Sequence, residues 1–208
     1  MKHYLTVAGN IATGKSTLVE LLAQRLGFHP FFEDVSQHPY LTDYYRHMER
    51  WSFQSQLYFL LQSFKQQSAI TIGDVSACQE RSIYEHFGVF VTSLHEQNIL
   101  LPQAYEILKE LFLVMQSLVA KPRLLIWLRA STPTLVQRIK SRDRVFEREI
   151  AYEYLDALNK RYAAWVESFD LCPVLRIDCD TLDFVGKREA LDLIIANVET
   201  CLEGKAGY

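Results

Sequence analysis

Cysteine is scarce: Cys78, Cys172, Cys179 and Cys201 stand alone in 208 residues, with no Cys-x-x-Cys pair. That spacing argues against a disulfide framework or a thiol-rich zinc site and suits reduced thiols in a cytoplasmic protein. Glycine and proline are also thin, at eight and six residues. They form no linker, and no repeat or low-complexity segment is present, so a single domain over residues 1–208 is expected. Long hydrophobic runs are missing. The longest stretch free of Asp, Glu, Lys and Arg is Trp51–Phe64, which carries several Gln and Ser and falls short of the ~20 apolar residues of a membrane helix. The opening residues Met1–Ala8 reach Gly9-Asn10 too soon for a secretory signal, so a cytoplasmic location and no membrane partner are expected. Excess positive charge is lacking as well: 22 Lys and Arg face 25 Asp and Glu, for a net charge of −3. Nothing draws the whole surface to nucleic acid, and any polyanion must meet a local cluster of cations. His3, His29, His38, His47 and His95 show no metal-ligand spacing.

What is present is an ordinary globular balance, with 49% hydrophobic residues, enough for a core without staples. Short apolar runs alternate with helical periods. Strands are expected at Tyr4–Ala8, at Phe31–Phe32 leading to Glu33, and at Val75–Gln79, Arg123–Leu128 and Val174–Ile177. Helices are expected at Lys15–Leu26 (closed by Gly27), Tyr40–Met48, Trp51–Ile70, Pro102–Val119, Pro133–Lys140, Ile150–Phe169 and Phe184–Leu202. Ser141–Arg148 is dense in charge and has no apolar period. The alternation predicts an α/β fold, a five-stranded parallel sheet covered by helices on both faces.

Gly9-Asn10-Ile11-Ala12-Thr13-Gly14-Lys15-Ser16 fits Gly-x4-Gly-Lys-[Ser/Thr], directly after an apolar strand and at the opening of a helix. That context makes it a phosphate loop. Its glycines let backbone N–H groups turn inward onto phosphate oxygens, and the helix adds unpaired N–H groups and its positive end. Lys15 reaches the β and γ phosphates, and the Ser16 hydroxyl suits Mg²⁺, which prefers hard oxygen donors. ATP with Mg²⁺ is the expected co-substrate.

A phosphate loop alone leaves kinases, GTPases and motor ATPases open. The guanine-reading Asn-Lys-x-Asp is absent. The strand ends instead supply Glu33 and Glu80-Arg81, at the carboxyl edge where ligands bind in such sheets. A carboxylate there can take a proton from an acceptor hydroxyl, and an adjacent Arg keeps it ionised and faces the transferring phosphoryl. The only dense basic run, Arg138 to Arg144, suits an arginine-rich lid (about 141–149) that closes over the triphosphate and excludes water.

Ordered motifs run from Gly9 to Glu147, within a likeness that covers about residues 4 to 185. They are Gly9-Asn10-Ile11-x-x-Gly14-Lys15-Ser16-Thr17; Glu33-x-Val35 with His38-Pro39-Tyr40-Leu41; Tyr45 followed by Glu49-Arg50-Trp51-Ser52-Phe53-x-x-Gln56; Glu80-Arg81-Ser82-Ile83-Tyr84-Glu85; and Arg138-Ile139-x-x-Arg142-x-Arg144-x-x-Glu147. Together they resemble the deoxynucleoside kinase family, in its bacterial deoxyadenosine/deoxyguanosine kinase branch. The resemblance implies a phosphate-loop kinase fold and a homodimer, and a transferase acting in nucleotide salvage. It makes Glu33 the base for the 5′-hydroxyl and Arg81 the group that holds Glu33 and the phosphoryl. Glu80 then lies near Mg²⁺, and Tyr45 and Glu147 hold the 3′-hydroxyl. Gln56 makes an amide contact to the base, Phe90 stacks on it, and Arg138, Arg142 and Arg144 belong to the lid.

Departures from the family pattern are Asp34 for Pro, Ala12 for a loop Gly, Asp143 for a lid Gly, and His86 where many members carry an Asp contacting the base. Ala12 is tolerated if its φ stays negative. Ser63 stands where some members carry a base-selecting Arg, which argues against deoxycytidine specificity and leaves space for a larger base. The reading is therefore a kinase for a purine deoxynucleoside. The rivals are a thymidylate-kinase-like nucleoside monophosphate kinase, for which only Arg46 and Arg50 offer additional cations near Glu33, and a nucleotide-binding regulatory module without turnover.

Overall fold

The computed structural model describes residues 2–142, 144, 147 and 149–204; Asp143 lies outside them. Five strands, β1 (Tyr4–Gly9), β2 (His29–Phe31), β3 (Ala77–Glu80), β4 (Leu124–Arg129) and β5 (Val174–Asp178), form one sheet in the order β2-β3-β1-β4-β5. Every pairing is parallel. β1, β3 and all of β4 but Arg129 are buried, as strands covered on both faces must be. β1 sits beside β4: the chain leaves β1 for β2 on one side of the sheet and leaves β4 for β5 on the other, and a crevice opens at the carboxyl ends where the two connections part.

Helices α1 (Lys15–Leu26), α2 (Leu41–Arg46), α3 (Met48–Ile72), α4 (Ile83–Glu85), α5 (Thr92–Glu96), α6 (Pro102–Ser117), α7 (Thr132–Arg142), α8 (Tyr152–Glu167) and α9 (Arg188–Leu202) make the covering layers. α1 has the expected bounds, and Gly27 ends it in the left-handed conformation (φ 68°), its N–H on the Ala23 carbonyl. α3 starts three residues before the expected Trp51. β3 starts two residues after Val75, which is exposed. The last helix begins at Arg188 rather than Phe184, because Asp183 turns the chain there by accepting the Val185 and Gly186 amides.

The segment from Ile83 to Glu96 carries no assigned element in the sequence reading, yet it is one continuous helical rod. Between α4 and α5 it widens into a π-helical turn, His86–Val91. Ile83, Tyr84, Glu85, His86, Val89, Phe90 and Val91 are all buried there, so no single-faced period marks the segment. Gly88 is required in this turn: a Cβ would stand 2.4 Å from Trp165 Nε1 of α8.

Candidate active site

The phosphate loop is held from behind. Gly9 has φ 152°, and a Cβ there would lie 2.5 Å from the Leu128 carbonyl oxygen of β4. The Asn10 side chain donates to the Leu155 carbonyl (2.9 Å) and to Asn159 Oδ1 (2.8 Å), while its own Oδ1 accepts the Ile11 amide (2.8 Å). The loop is thus pinned to α8. Gly14 opens α1 with φ 100°. Ala12 does not meet the condition set for it, since its φ is +67°. Left-handed backbone costs a residue with a Cβ about 1–2 kcal/mol, so the surrounding contacts carry that strain.

Lys15 is buried and donates to the Asn10 carbonyl (2.9 Å). Burial, with the Arg81 charge, pulls its ammonium down to about 8, against the partial support of Glu80, Glu85 and Glu33. This cation is strongly desolvated and short of anionic charge, a state a bound polyphosphate would relieve.

β2 and β3 deliver the acid–guanidinium couple. Arg81 Nη1 donates to Glu33 Oε2 over 2.6 Å, with both side chains largely buried. Burial alone would raise the Glu33 carboxyl, but Arg81, His86 and Lys15 outweigh it and hold it below the ordinary value. The Glu33 amide donates to Glu80 Oε2 (3.4 Å), so Glu80 also steadies the backbone of the couple. Arg81 itself is left-handed (φ 57°), and its guanidinium lies 4.5 Å over the Phe90 ring.

These groups share one cavity of about 360 Å³. It is lined by Ile11, Ala12, Lys15 and Ser16 of the phosphate loop and α1, by Glu33, Glu80 and Arg81, and by Tyr45, Gln56, His86, Phe90, Arg142, Arg144 and Glu147. The structure therefore brings together nearly every residue singled out in the sequence. Gln56 is buried with its Oε1 unpartnered. The His86 ring lies parallel to Phe59 (5.5 Å) and near Phe90 (5.9 Å), buried rather than turned to solvent. Its Nε2 comes within 3.4 Å of Glu33 Oε1 without forming a hydrogen bond. Burial pushes the imidazole down to about 4, so it is neutral at neutral pH.

Some residues fall elsewhere. Arg138 faces a second cleft of about 380 Å³, with Ala12, Thr13, Gly14 and the Cys179–Val185 loop. It donates to the Thr13 carbonyl (3.1 Å) and the Cys179 carbonyl (3.0 Å), bridging the phosphate loop to the loop after β5. Glu147 is buried and holds Arg142 through two 2.6 Å bonds, with Arg144 at 3.7 Å. Ser63 does not line the main cavity: its hydroxyl donates to the Arg81 carbonyl (3.4 Å), and it borders a side pocket of about 10 Å³. His38 does not line the main cavity. Its Nδ1 accepts the Tyr40 amide (3.1 Å), which puts the proton on Nε2, beside the Ser55 hydroxyl and carbonyl. Asp34 accepts the Ser36 amide (2.9 Å) and so builds the turn in which family members have Pro. Arg46 pairs with Glu149, and Arg50 packs over Trp51; neither borders the cavity.

Among the described residues no group of three or more His, Cys, Asp or Glu is poised to hold a metal ion by itself. The Ser16 hydroxyl and Glu80 carboxylate line the same cavity and are hard oxygen donors. They fit an ion that arrives with phosphate oxygens. No described helix is long and apolar enough to cross a membrane.

A family model for deoxynucleoside kinases matches residues 5–203. The deoxyadenosine/deoxycytidine kinase of Bacillus subtilis is 34% identical over 200 residues, covering 95% of this chain and 92% of its own. The deoxyguanosine kinase of the same organism is 29% identical, covering 94% and 96%. A solved structure of deoxyadenosine kinase from M. mycoides with bound dCTP superposes with a TM-score of 0.80 at 26% identity, over 95% of this chain and 99% of the other. With the phosphate loop, the strand-end couple and the shared cavity in place, these matches show that the chain belongs to the deoxynucleoside kinase family.

Proposed function

We propose that the protein transfers the γ-phosphoryl of ATP to the 5′-hydroxyl of a purine deoxynucleoside, with Glu33 as the general base. The observation that carries this is the 2.6 Å Glu33–Arg81 couple in one cavity with Lys15 and Ser16. Glu33 Oε2 is taken by Arg81, whereas Oε1 is buried with no hydrogen bond. That free acceptor suits a hydroxyl, whose proton it takes as the oxygen attacks phosphorus. Arg81 then meets charge on the transferring group. The loop Gly9–Gly14 curls round the phosphates: the amides of Gly9, Ile11 and Thr13 are spent on Glu85, the Asn10 side chain and the Asn10 carbonyl, which leaves Ala12, Gly14, the start of α1 at Lys15–Thr17 and the Lys15 ammonium to meet phosphate oxygens. Ser16 and Glu80 would hold Mg²⁺, which neutralises phosphate charge when bound. The second cleft, bridged by Arg138, suits the nucleoside part of the donor.

In the acceptor pocket, Gln56 meets the base edge, Phe90 stacks on it, and Tyr45 with Glu147 takes the 3′-hydroxyl. Glu147 spends both oxygens on Arg142, so binding that hydroxyl competes with the pair and releases a cation toward the phosphoryl. Arg142 and Arg144 are the lid arginines that border this pocket, and the whole chain works as one kinase domain. Purine preference is supported by relatives named for deoxyadenosine and deoxyguanosine, one of which is named for deoxycytidine as well. The exposed apolar residues Ile107, Leu113 and Val114 of α6, with Leu61 of α3, support a homodimer. The activity is a cytoplasmic salvage step.

A coupled ADP-release assay with the four deoxynucleosides and with deoxyadenylate tests the reading. Turnover is expected with deoxyadenosine or deoxyguanosine and not with deoxyadenylate. Turnover on the monophosphate alone would overturn it.

A further inference from the structure

Glu85 is 0% exposed, the most deeply buried carboxylate described, and the chemistry above makes no use of it. A buried charge is costly unless it is matched. Here one oxygen, Oε1, gathers three donors: the Gly9 amide (3.1 Å), Arg81 Nε (3.3 Å) and the Tyr162 hydroxyl. The Tyr162 hydroxyl also reaches the Gly9 carbonyl (2.8 Å). The end of β1, the turn before α4 and the middle of α8 therefore meet at a single atom.

The consequence falls on Arg81. Its Nε is held by Glu85 and its Nη1 by Glu33. A guanidinium is planar, so two fixed N–H groups fix the whole fork. No described protein group takes the Nη2 hydrogens, and Arg81 lines the cavity. Arg81 also has left-handed backbone, a conformation that persists only where surrounding contacts over-determine it.

We propose that Glu85 is a positioning residue that sets the plane of the Arg81 guanidinium against Gly9, the first residue of the phosphate loop, so that Arg81 meets Glu33 and the transferring phosphoryl together. The proposal rests on the role given to Arg81 above. The charged and titratable groups facing Glu85 are Arg81 beside it, Lys15 of α1 and Tyr162 of α8. Burial raises its carboxyl to about 7 against their pull. The ionised form holds Nε; the protonated form loosens it.

Wild type is expected to gain kcat as pH rises through about 7, well above any limb from Glu33, whose carboxyl lies below its usual value. Glu85→Gln keeps the shape and an oxygen for Gly9 but lacks the charge. It should lose this limb and about tenfold in kcat, with the deoxynucleoside KM within about twofold. Tyr162→Phe removes one donor from Glu85 and should move the limb to higher pH, which keeps the test open if the Gln variant folds poorly. Wild-type kcat with the limb intact in Glu85→Gln, or an unmoved limb in Tyr162→Phe, would overturn the proposal. Glu33→Gln run alongside separates the two readings: loss of turnover there, with Glu85→Gln unaffected, sinks only the positioning role. Retained turnover in Glu33→Gln sinks the assignment of the base.

Discussion

Arg81 Nη1 and Glu33 Oε2 stand 2.6 Å apart, linking the ends of two neighbouring parallel strands over a cavity that Lys15 also lines. That pair converts a phosphate-binding loop into a site with a base.

Ala12→Gly should stabilise the protein. Ala12 sits at φ +67°, where glycine escapes the steric cost. The expected gain is about 1 kcal/mol, or ~2–4 °C in Tm for a chain of this size. Thermal or urea unfolding reads it. A loss of stability, the usual effect of replacing Ala by Gly, would show that the loop does not hold Ala12 in this conformation.

Gly88→Ala should destabilise by about 1–3 kcal/mol through overpacking, because the new methyl meets Trp165 at 2.4 Å. Urea unfolding checks this, with an unchanged midpoint as the contrary result.

Much of this was legible beforehand, and what was not has physical reasons. The bounds of α1 and its Gly27 stop follow from leucine spacing and a terminal glycine, which are local signals. The phosphate loop, Glu33 and Arg81 carry chemistry that is recognisable from residue type and position at strand ends. Glu85 stood in the sequence only as the end of a motif, with no role: its partners are the Gly9 amide of β1 and the Tyr162 hydroxyl of α8, 76 and 77 residues away in sequence. The π-helical turn escaped because His86, Val89, Phe90 and Val91 are all buried in it, so that no single apolar face repeats. Ser63 looked like open space, yet its hydroxyl is spent on the Arg81 carbonyl.

His86→Asp should change both chemistry and selectivity. An Asp carboxylate in this buried pocket would repel the Glu33 carboxylate, which His86 Nε2 now approaches to 3.4 Å, and raise its pKa. The lower limb of kcat/KM should shift to higher pH, and the ranking of the four deoxynucleosides should change. An untouched ranking would remove His86 from the pocket's reading of the base.

Lys15 sets a pH dependence of stability. Its folded value, about 8, lies below its unfolded 10.5. Between those values the unfolded chain binds the extra proton, so stability of the ligand-free protein rises with pH across that window. Urea unfolding of wild type and Lys15→Met at about pH 7.5 and 10 should show wild type gaining relative to the variant. Parallel curves would mean that Lys15 is not desolvated as described.

The most direct measurement is turnover and ATP binding side by side in Glu33→Gln. With Glu33 as the base, ADP release with deoxyadenosine or deoxyguanosine should fall at least about a hundredfold, while ATP affinity stays near wild type because the phosphate loop is untouched. Undiminished turnover in that variant would contradict the role given to the Glu33–Arg81 couple.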